Sequence, residues 1–496
     1  MKSEPKLLFW IDAFLLHYCL AYFIQKNSNH EVSAIIDVAN KLKPFFETQN
    51  LVKFKKKWFY HDHIDSKKDP NLAYLQAFEK KYGINLWSMA LNERIFYKYN
   101  ESHKFQRKEI LAILESECRL FEKILDENKP DFLLSLNFGL HHENLLTKIC
   151  KKRGIKVISI SVSKLTNGCH LSESSDTLME GSVGGSENFS FDDLQKLLHQ
   201  NNLSRRLENV YSSIRTSSSK RFSAALSIFS EKNKNIHTHY TYYGRTKLKL
   251  ILLETQNFIR TWTRGNFLSK NSQKTIRKEN FIYLPLSQEP ERSLLIDAPF
   301  YTNQIELIRH VAKSIPINYV LYVKEHPTQG KARGWRNISE YKQILEIPNV
   351  RLIHPEVSSQ DLIKKSDLVI TVSGTASFEA LFYNKPSILF SNYGYHKAGI
   401  TKIDCLENLP AAINDALNST VDLRKLSAYV SSVINNSFEF DYYGFQIRVG
   451  NEFFKNWQIL DVDIKEQKMV KYLKKEERFF NSITNEHLKY IKSEVG

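Results

Sequence analysis

Three short stretches of this chain collect side chains suited to phosphate and sugar hydroxyls, and each follows an apolar run. In ITVSGTASFEAL, Ile370 to Leu381, the residues Ser373, Gly374 and Thr375 stand between a strand pattern and a helical one. Gly374 lets backbone approach a ligand, and the two hydroxyls donate hydrogen bonds. The N–H groups of the helix start are free to meet a phosphate or diphosphate. Glu379 lies one helical turn beyond Thr375 on the same face, where a carboxylate can accept from a ribose 2′- and 3′-hydroxyl pair. A merely capped helix would use the same residue types, so this turn does not decide by itself.

In LYVKEHPTQG, Leu321 to Gly330, the strand pattern ends at Lys324, Glu325 and His326, and Pro327 turns the chain. A Lys and a His at a strand's end suit a phosphate oxygen, the imidazole acting as a cation or as a neutral N–H donor. In LPLSQEPERS, Leu284 to Ser293, the polar groups of Gln288, Glu289, Glu291 and Arg292 bunch around Pro290. Surface turns or an interdomain salt-bridge loop would read alike. Three such clusters at strand ends of one domain point instead to the edge where open α/β sheets bind ligands.

The elements that must hold these clusters alternate along the chain. FIYLPL (281–286), YVLYVK (319–324), VRLI (350–353), DLVITV (367–372) and PSILFS (386–391) read as strands. Helical patterns fall between them, over 303–313, 339–345, 359–366 and 376–384. This periodicity predicts a Rossmann-like domain over 281–415. Residues 1–165 alternate in the same way: LLFWI and a first helix, EVSAIID (31–37), a long helix over Arg107 to Asn128, DFLLSL (131–136), a helix closed by Gly154, and IKVISISVS (155–163). Residues 166–280 differ. They open on SESSDTLMEGSVGGSE (172–187), a loop by composition, and continue as a polar helical region. From His239 to Phe281 they turn basic and aromatic, with Tyr240, Tyr242, Tyr243, Arg245, Arg260, Trp262 and Arg264. This segment reads as an insertion lying against a membrane or over the cleft. Residues 416–496 read as a helical tail.

The succession of QEPER after a strand, then VKEHP, then ITVSGTASFEALFYNKPSILF resembles the capsular polysaccharide synthesis family of GT-B glycosyltransferases, which includes the β-Kdo transferases. The resemblance spans about Phe281 to Ala412. It implies an α/β, GT-B-like fold with two Rossmann-like domains facing a cleft. Residues 1–165 would form the acceptor side and 281–415 the nucleotide-sugar side, with the helical, basic insertion 166–280 and the tail 416–496 added. By the same resemblance His326 and Pro327 sit at the donor phosphate, Ser373, Gly374 and Thr375 beside it, and Glu379 near the ribose. Gln288, Glu289, Glu291 and Arg292 would line the cleft. The implied activity is transfer of a sugar from a nucleotide sugar, with CMP-linked donors among the candidates, to a surface polysaccharide or its lipid-linked precursor. The donor is a substrate, so no cofactor is expected. A nucleotide-sugar 2-epimerase, a polyol-phosphate transferase and a non-catalytic assembly partner remain as alternatives on this fold.

A transferase of this kind needs a base for the acceptor hydroxyl. On the N-terminal side Asp12 ends the first strand, and His141 and His142 precede a helix after DFLLSL, with Glu143 beside them. A helix cap and a solvated helix start would explain the same residues. No DxD or spaced His/Asp set predicts a metal. His61-Asp62-His63 are neighbours that seldom converge on one ion.

The formal net charge of +16 points to anionic partners. The charge is spread along the chain, unlike the arm or stripe of a dedicated nucleic-acid binder, so nucleic acid is not expected. Basic-aromatic runs such as FKKKWFY (54–60) suit an anionic membrane surface, as they suit a solvated face. Cys19, Cys118, Cys150, Cys169 and Cys405 are odd in number and widely spaced, which predicts reduced thiols in a cytoplasmic protein. The apolar stretch Leu7 to Ile24 contains Asp12 and His17 and reads as strand plus helix, neither a signal nor a span. The expected location is the cytoplasm, peripherally at the inner membrane face.

Overall fold

Apolar runs of this kind need burial on both faces, and the chain supplies it by packing helices around two largely parallel sheets. The computed structural model describes residues 4–135, 139–174, 177–179, 184–185, 187–200, 233–332, 334–391 and 393–495.

The first sheet contains β1 (Lys6–Asp12), β2 (Glu31–Asp37), β3 (Lys57–Phe59), β4 (Phe132–Leu134), β5 (Lys156–Val162), β6 (Cys169–Ser174) and β7 (Thr177–Leu178), and β14 (Ser437–Phe438) joins it. Its order is β14-β6-β5-β4-β1-β2-β3, with β7 paired to β6. Strands β5, β4, β1, β2 and β3 are parallel, whereas β6 and β14 run antiparallel at one edge. Strand β1 shows the logic of burial. Leu7, Phe9 and Ile11 face one apolar core with α1 (Leu16–Asn27), while Leu8 and Trp10 face another with α2 (Arg107–Asn128) and α3 (His141–Lys152).

The second sheet contains β8 (Phe281–Pro285), β9 (Val320–Lys324), β10 (Val350–Ile353), β11 (Leu368–Thr371), β12 (Ser387–Leu389) and β13 (Thr401–Lys402). All pairings are parallel, in the order β10-β9-β8-β11-β12-β13. Helices α5 (Gln304–Ser314) and α6 (Ala376–Phe382) pack against it.

The segment 166–280 is divided among several places. Strands β6 and β7 extend the first sheet. Tyr240 is 2% exposed within the first domain's core. Helix α4 (Lys247–Asn271) lies across both domains. Of the polar helical region, Phe191–Gln200 is a helix, and 201–232 lie outside the described residues. The loop expected over 172–187 is described only in part, and its described residues include the end of β6 and all of β7. The tail returns to the first domain: α7 (Glu466–Val495) packs on α1, with Phe480 stacked on Phe23 at 5.1 Å between centroids. Four cysteines are buried, Cys405 is exposed, and all five are free thiols. Among the described residues no helix is long and apolar enough to cross a membrane.

Candidate active site

In each sheet the chain starts in the middle, builds outward to one side, then crosses to the other. The reversal falls between β1 and β4 in the first sheet and between β8 and β11 in the second. A crevice opens beyond the carboxyl ends of the strands at such a point. The loops carrying Gln288, His326 and Ser373 follow β8, β9 and β11, which are adjacent strands. They therefore leave the same edge of the sheet side by side.

Two of these loops are locked together. Arg336, buried, donates to Glu289 at 2.5 Å, to Glu325 at 2.8 Å and to the Ser287 carbonyl at 3.0 Å. Gln304, at the start of α5, donates to Glu289 at 2.7 Å and accepts from the Ser287 N–H at 2.6 Å. Gln329 accepts from the Glu289 N–H and donates to its carbonyl. Tyr341 donates to Glu325 at 3.0 Å. Burial drives the Glu289 carboxyl upward, but Arg336 and Lys98 outweigh it and hold the group at about 2. Glu325 is fully buried, and burial leaves it above the usual carboxylate range despite Arg336. These two acids are structural struts and are already saturated with partners.

His326 stands at the lip of this unit, half-buried. Burial, with Lys324 and Arg336 nearby, lowers its imidazole to about 4, so the ring is neutral at physiological pH. Its Nδ1 accepts from the Thr328 N–H at 3.3 Å, which leaves the proton on Nε2 as a donor. The Thr328 hydroxyl is 3.1 Å from the Gln288 amide oxygen, so the first two loops touch here as well. Pro327 is exposed beside His326. Lys324 is buried and lowered to about 8 by that burial. Its ammonium donates to the Val357 carbonyl and, at 2.7 Å, to Ser359, bracing the loop after β10.

At the third loop Thr375 donates to Glu379 at 2.8 Å, and burial raises the Glu379 carboxyl above its ordinary value. The Ser373 hydroxyl is buried with no hydrogen-bond partner among the described residues. A buried hydroxyl without a partner is costly and suits a donor reserved for a ligand. A Cβ added at Gly374 would meet only the Thr371 side chain, at 3.5 Å. The fold therefore tolerates a side chain there. Tyr395 donates to the Ser373 carbonyl at 2.6 Å and fixes the turn. Arg292 reaches Tyr393 at 3.1 Å, tying the QEPER loop to the loop after β12. Glu291 occupies the position before the short helix that Arg292 begins, without a side-chain capping bond, and it is exposed.

The N-terminal edge supplies acids. Asp12 and Asp37 end β1 and β2 in register, and Glu143 opens α3 after β4. Burial, then Glu143 and Asp37, raise the Asp12 carboxyl well above its usual range. Burial raises Glu143 too, although it accepts N–H bonds from Gly139 at 2.5 Å and Leu140 at 3.1 Å. Asp37 is pushed the other way: His142 and His61, the latter at 2.9 Å, outweigh its burial and hold it ionised. The turn after β1 is strained, since Leu15 adopts φ 59, a left-handed conformation that disfavours leucine.

Behind these acids lies a buried relay. His142 Nδ1 meets the Tyr240 hydroxyl at 3.1 Å, Tyr240 meets Tyr60 at 2.9 Å, and Tyr60 donates to Glu117 at 2.5 Å. His141 is clamped between Glu93 and Glu117, both at 3.0 Å. Burial opposes its charge, but Glu117 and Glu93 prevail and push it up to about 10. A His141 held as imidazolium has no lone pair for an acceptor's proton at neutral pH. Glu117, His141 and His142 are the one group among the described residues close enough to surround a metal ion, and both ring nitrogens of His141 are paired with Glu93 and Glu117. His61 bonds Asp37, whereas Asp62 bonds Lys43 at 2.6 Å, so that triplet diverges.

The two edges face each other, because loops from both sheets meet on either flank. On one flank Lys98 and Tyr99 reach Glu289 at 3.1 and 3.0 Å. On the other Lys164, after β5, lies over the rings of Tyr395 and Tyr393 at 4.3 and 4.7 Å and acts electrostatically on Glu379. Sequence reasoning missed Lys164, Asp37, Arg336 and Tyr240. Only Asp37 carried a visible signal, an acid ending a strand pattern in the same way as Asp12.

Residues 192–435 match the family model described as capsule polysaccharide biosynthesis protein. Among solved structures, the Thermosulfurimonas dismutans KpsC β-Kdo 2,7 transferase aligns at 14% identity and TM-score 0.29, over 73% of this chain and 89% of that one. The Methanocaldococcus jannaschii UDP-GlcNAc 2-epimerase in complex with UDP-GlcNAc and UDP aligns at 13% identity and TM-score 0.26, over 85% of this chain and 97% of that one. No curated protein matches the sequence.

Proposed function

From the capsule polysaccharide biosynthesis match over residues 192–435, we propose that this chain is a glycosyltransferase moving a sugar from a nucleotide sugar to a surface polysaccharide or its lipid-linked precursor. The reading is supported above all by one observation: three loops from adjacent parallel strands bring Gln288, His326 and Ser373–Thr375 to one crevice. In this reading His326 Nε2–H and the Ser373 and Thr375 groups hold the donor's phosphate oxygens. Glu379 takes the ribose hydroxyls, and Lys164 completes the charge from the facing domain. No cofactor is required. Asp12, kept basic by burial and by neighbouring carboxylates, accepts the acceptor hydroxyl's proton as the sugar–phosphate bond breaks. His142 and Asp37 position the acid edge. The reaction belongs in the cytoplasm, where activated sugars are supplied.

Incubation with a panel of labelled nucleotide sugars and an oligosaccharide acceptor tests this. Transfer is expected from the wild type and lost in Asp12→Asn. A second reading, nucleotide-sugar 2-epimerase, draws on the same carboxylates, since Asp12, Asp37 and Glu143 also suit proton abstraction from carbon. Conversion of the sugar nucleotide with no acceptor present would select it.

A further inference from the structure

Helix α4 is amphipathic in the reverse of the usual sense. Its polar face is turned inward. Lys249 donates to the Ser102 carbonyl at 2.7 Å, Arg260 pairs with Glu101 at 2.6 Å, and Arg264 donates to the Trp335 carbonyl at 2.8 Å and to Asn337. These contacts tie the helix to both domains. Its apolar residues Leu248, Ile251, Leu252, Phe258, Ile259 and Trp262 are exposed, from 42% at Ile251 to 77% at Phe258. At the helical rotation per residue they fall within an arc of about 120°. The stripe from Leu248 to Trp262 is about 21 Å long at the helical rise. Folding therefore leaves an apolar stripe outside while its own cations hold the helix down.

We propose that this stripe docks the protein on an anionic lipid surface, with α4 lying in the plane of the interface. The charge around it selects that occupant. Arg245 at one end, and Lys270, Lys274, Arg277 and Lys278 at the other, are exposed, and Glu254 is the only acid between Arg245 and Lys278. Such a rim attracts anionic headgroups. A second copy of the chain packed stripe to stripe would bring like-charged rims together. Trp262 sits at one end of the stripe, where an indole prefers the headgroup layer. The apolar stripe is too short for a span and lies on the protein surface, as an interfacial helix does. The proposal extends the function above by giving it a location, and its readouts are separate.

Co-sedimentation of the full chain with vesicles of phosphatidylcholine, with and without phosphatidylglycerol, tests it. Binding is expected only to the anionic vesicles, weakened by salt, with a blue shift of Trp262 emission that W262F removes. The exposed pair F258D/W262D should lose about tenfold or more of vesicle affinity while melting normally. K270E/K274E should weaken binding to anionic vesicles in the same direction. Nucleotide-induced stabilisation should persist in all these variants, so failure on vesicles would leave the catalytic reading standing. The proposal is overturned if the wild type ignores anionic vesicles, if F258D/W262D binds them unchanged, or if light scattering shows a dimer that this pair dissolves.

Discussion

Replacing Arg336 by Met removes the cation shared by two loops of the crevice while keeping its volume apolar. Glu289 would retain Lys98, Tyr99 and Gln304. Glu325, 0% exposed, would keep only the Tyr341 hydroxyl and the His326 N–H. The loss therefore concentrates on Glu325. Stranding one member of a buried ion pair costs about 3–5 kcal/mol. At roughly 2–4 °C per kcal/mol for a domain of this size, Tm should fall by about 6–20 °C.

The pH dependence has a definite sign. In the wild type Glu289, held at about 2, contributes stability that is present above the unfolded value and is lost as pH falls toward 2. In R336M Glu325 loses the cation that most opposes its burial, so its carboxyl rises further. The penalty is then largest at neutral pH and shrinks as pH falls toward the unfolded carboxylate value. The gap in Tm between wild type and R336M should accordingly narrow from pH 7.5 to pH 5, and E325Q added to R336M should recover much of it. Calorimetric melts of the four proteins of the cycle provide the assay. An R336M protein melting with the wild type, or a gap that widens in acid, would refute the reasoning.

Gly374→Ala should fold with a stability change within about 0.5 kcal/mol, because its Cβ meets only Thr371 at ordinary contact distance, yet bind nucleotide more weakly. Titration calorimetry beside a melt separates the two effects. Asp12→Asn should lower kcat by about 10²–10⁴-fold with donor affinity unchanged. The acid limb of wild-type kcat/KM should lie above the ordinary carboxylate range, because burial, Glu143 and Asp37 make Asp12 take up its proton, and stop serving as a base, at a higher pH as the solution is acidified. His17 and His487, which burial holds at about 3 and about 4, resist protonation in the folded state. Stability is thus expected to decline as pH drops below the unfolded histidine value toward 4, and His487→Leu should flatten that decline in acid melts.

The second domain was legible because each strand is a short apolar run, each helix shows its period, and the three polar clusters sit at strand ends. Parallel topology then fixes their edge. The spread of 166–280 was not legible. Tyr240 enters the first domain's core only because Tyr60, His142 and Glu117, all distant in sequence, provide its partners. Glu289 read as a cleft-lining group, and its role as a strut depends on Arg336, which has no motif of its own. His141 and His142 look equivalent in sequence. Burial between two carboxylates sets one as a fixed cation, while its neighbour contacts Asp37 and Tyr240. The reversed polarity of α4 required knowing that Glu101, Ser102 and Trp335 lie beneath it.

Titration calorimetry of CMP, UDP and GDP against the wild type and H326A/E379Q tests the crevice most directly. One of these nucleotides should bind the wild type and lose at least about 1.4 kcal/mol, a tenfold weakening, in the double variant. Unchanged affinity in H326A/E379Q, or no binding by the wild type, would contradict a phosphate site at these three strand ends.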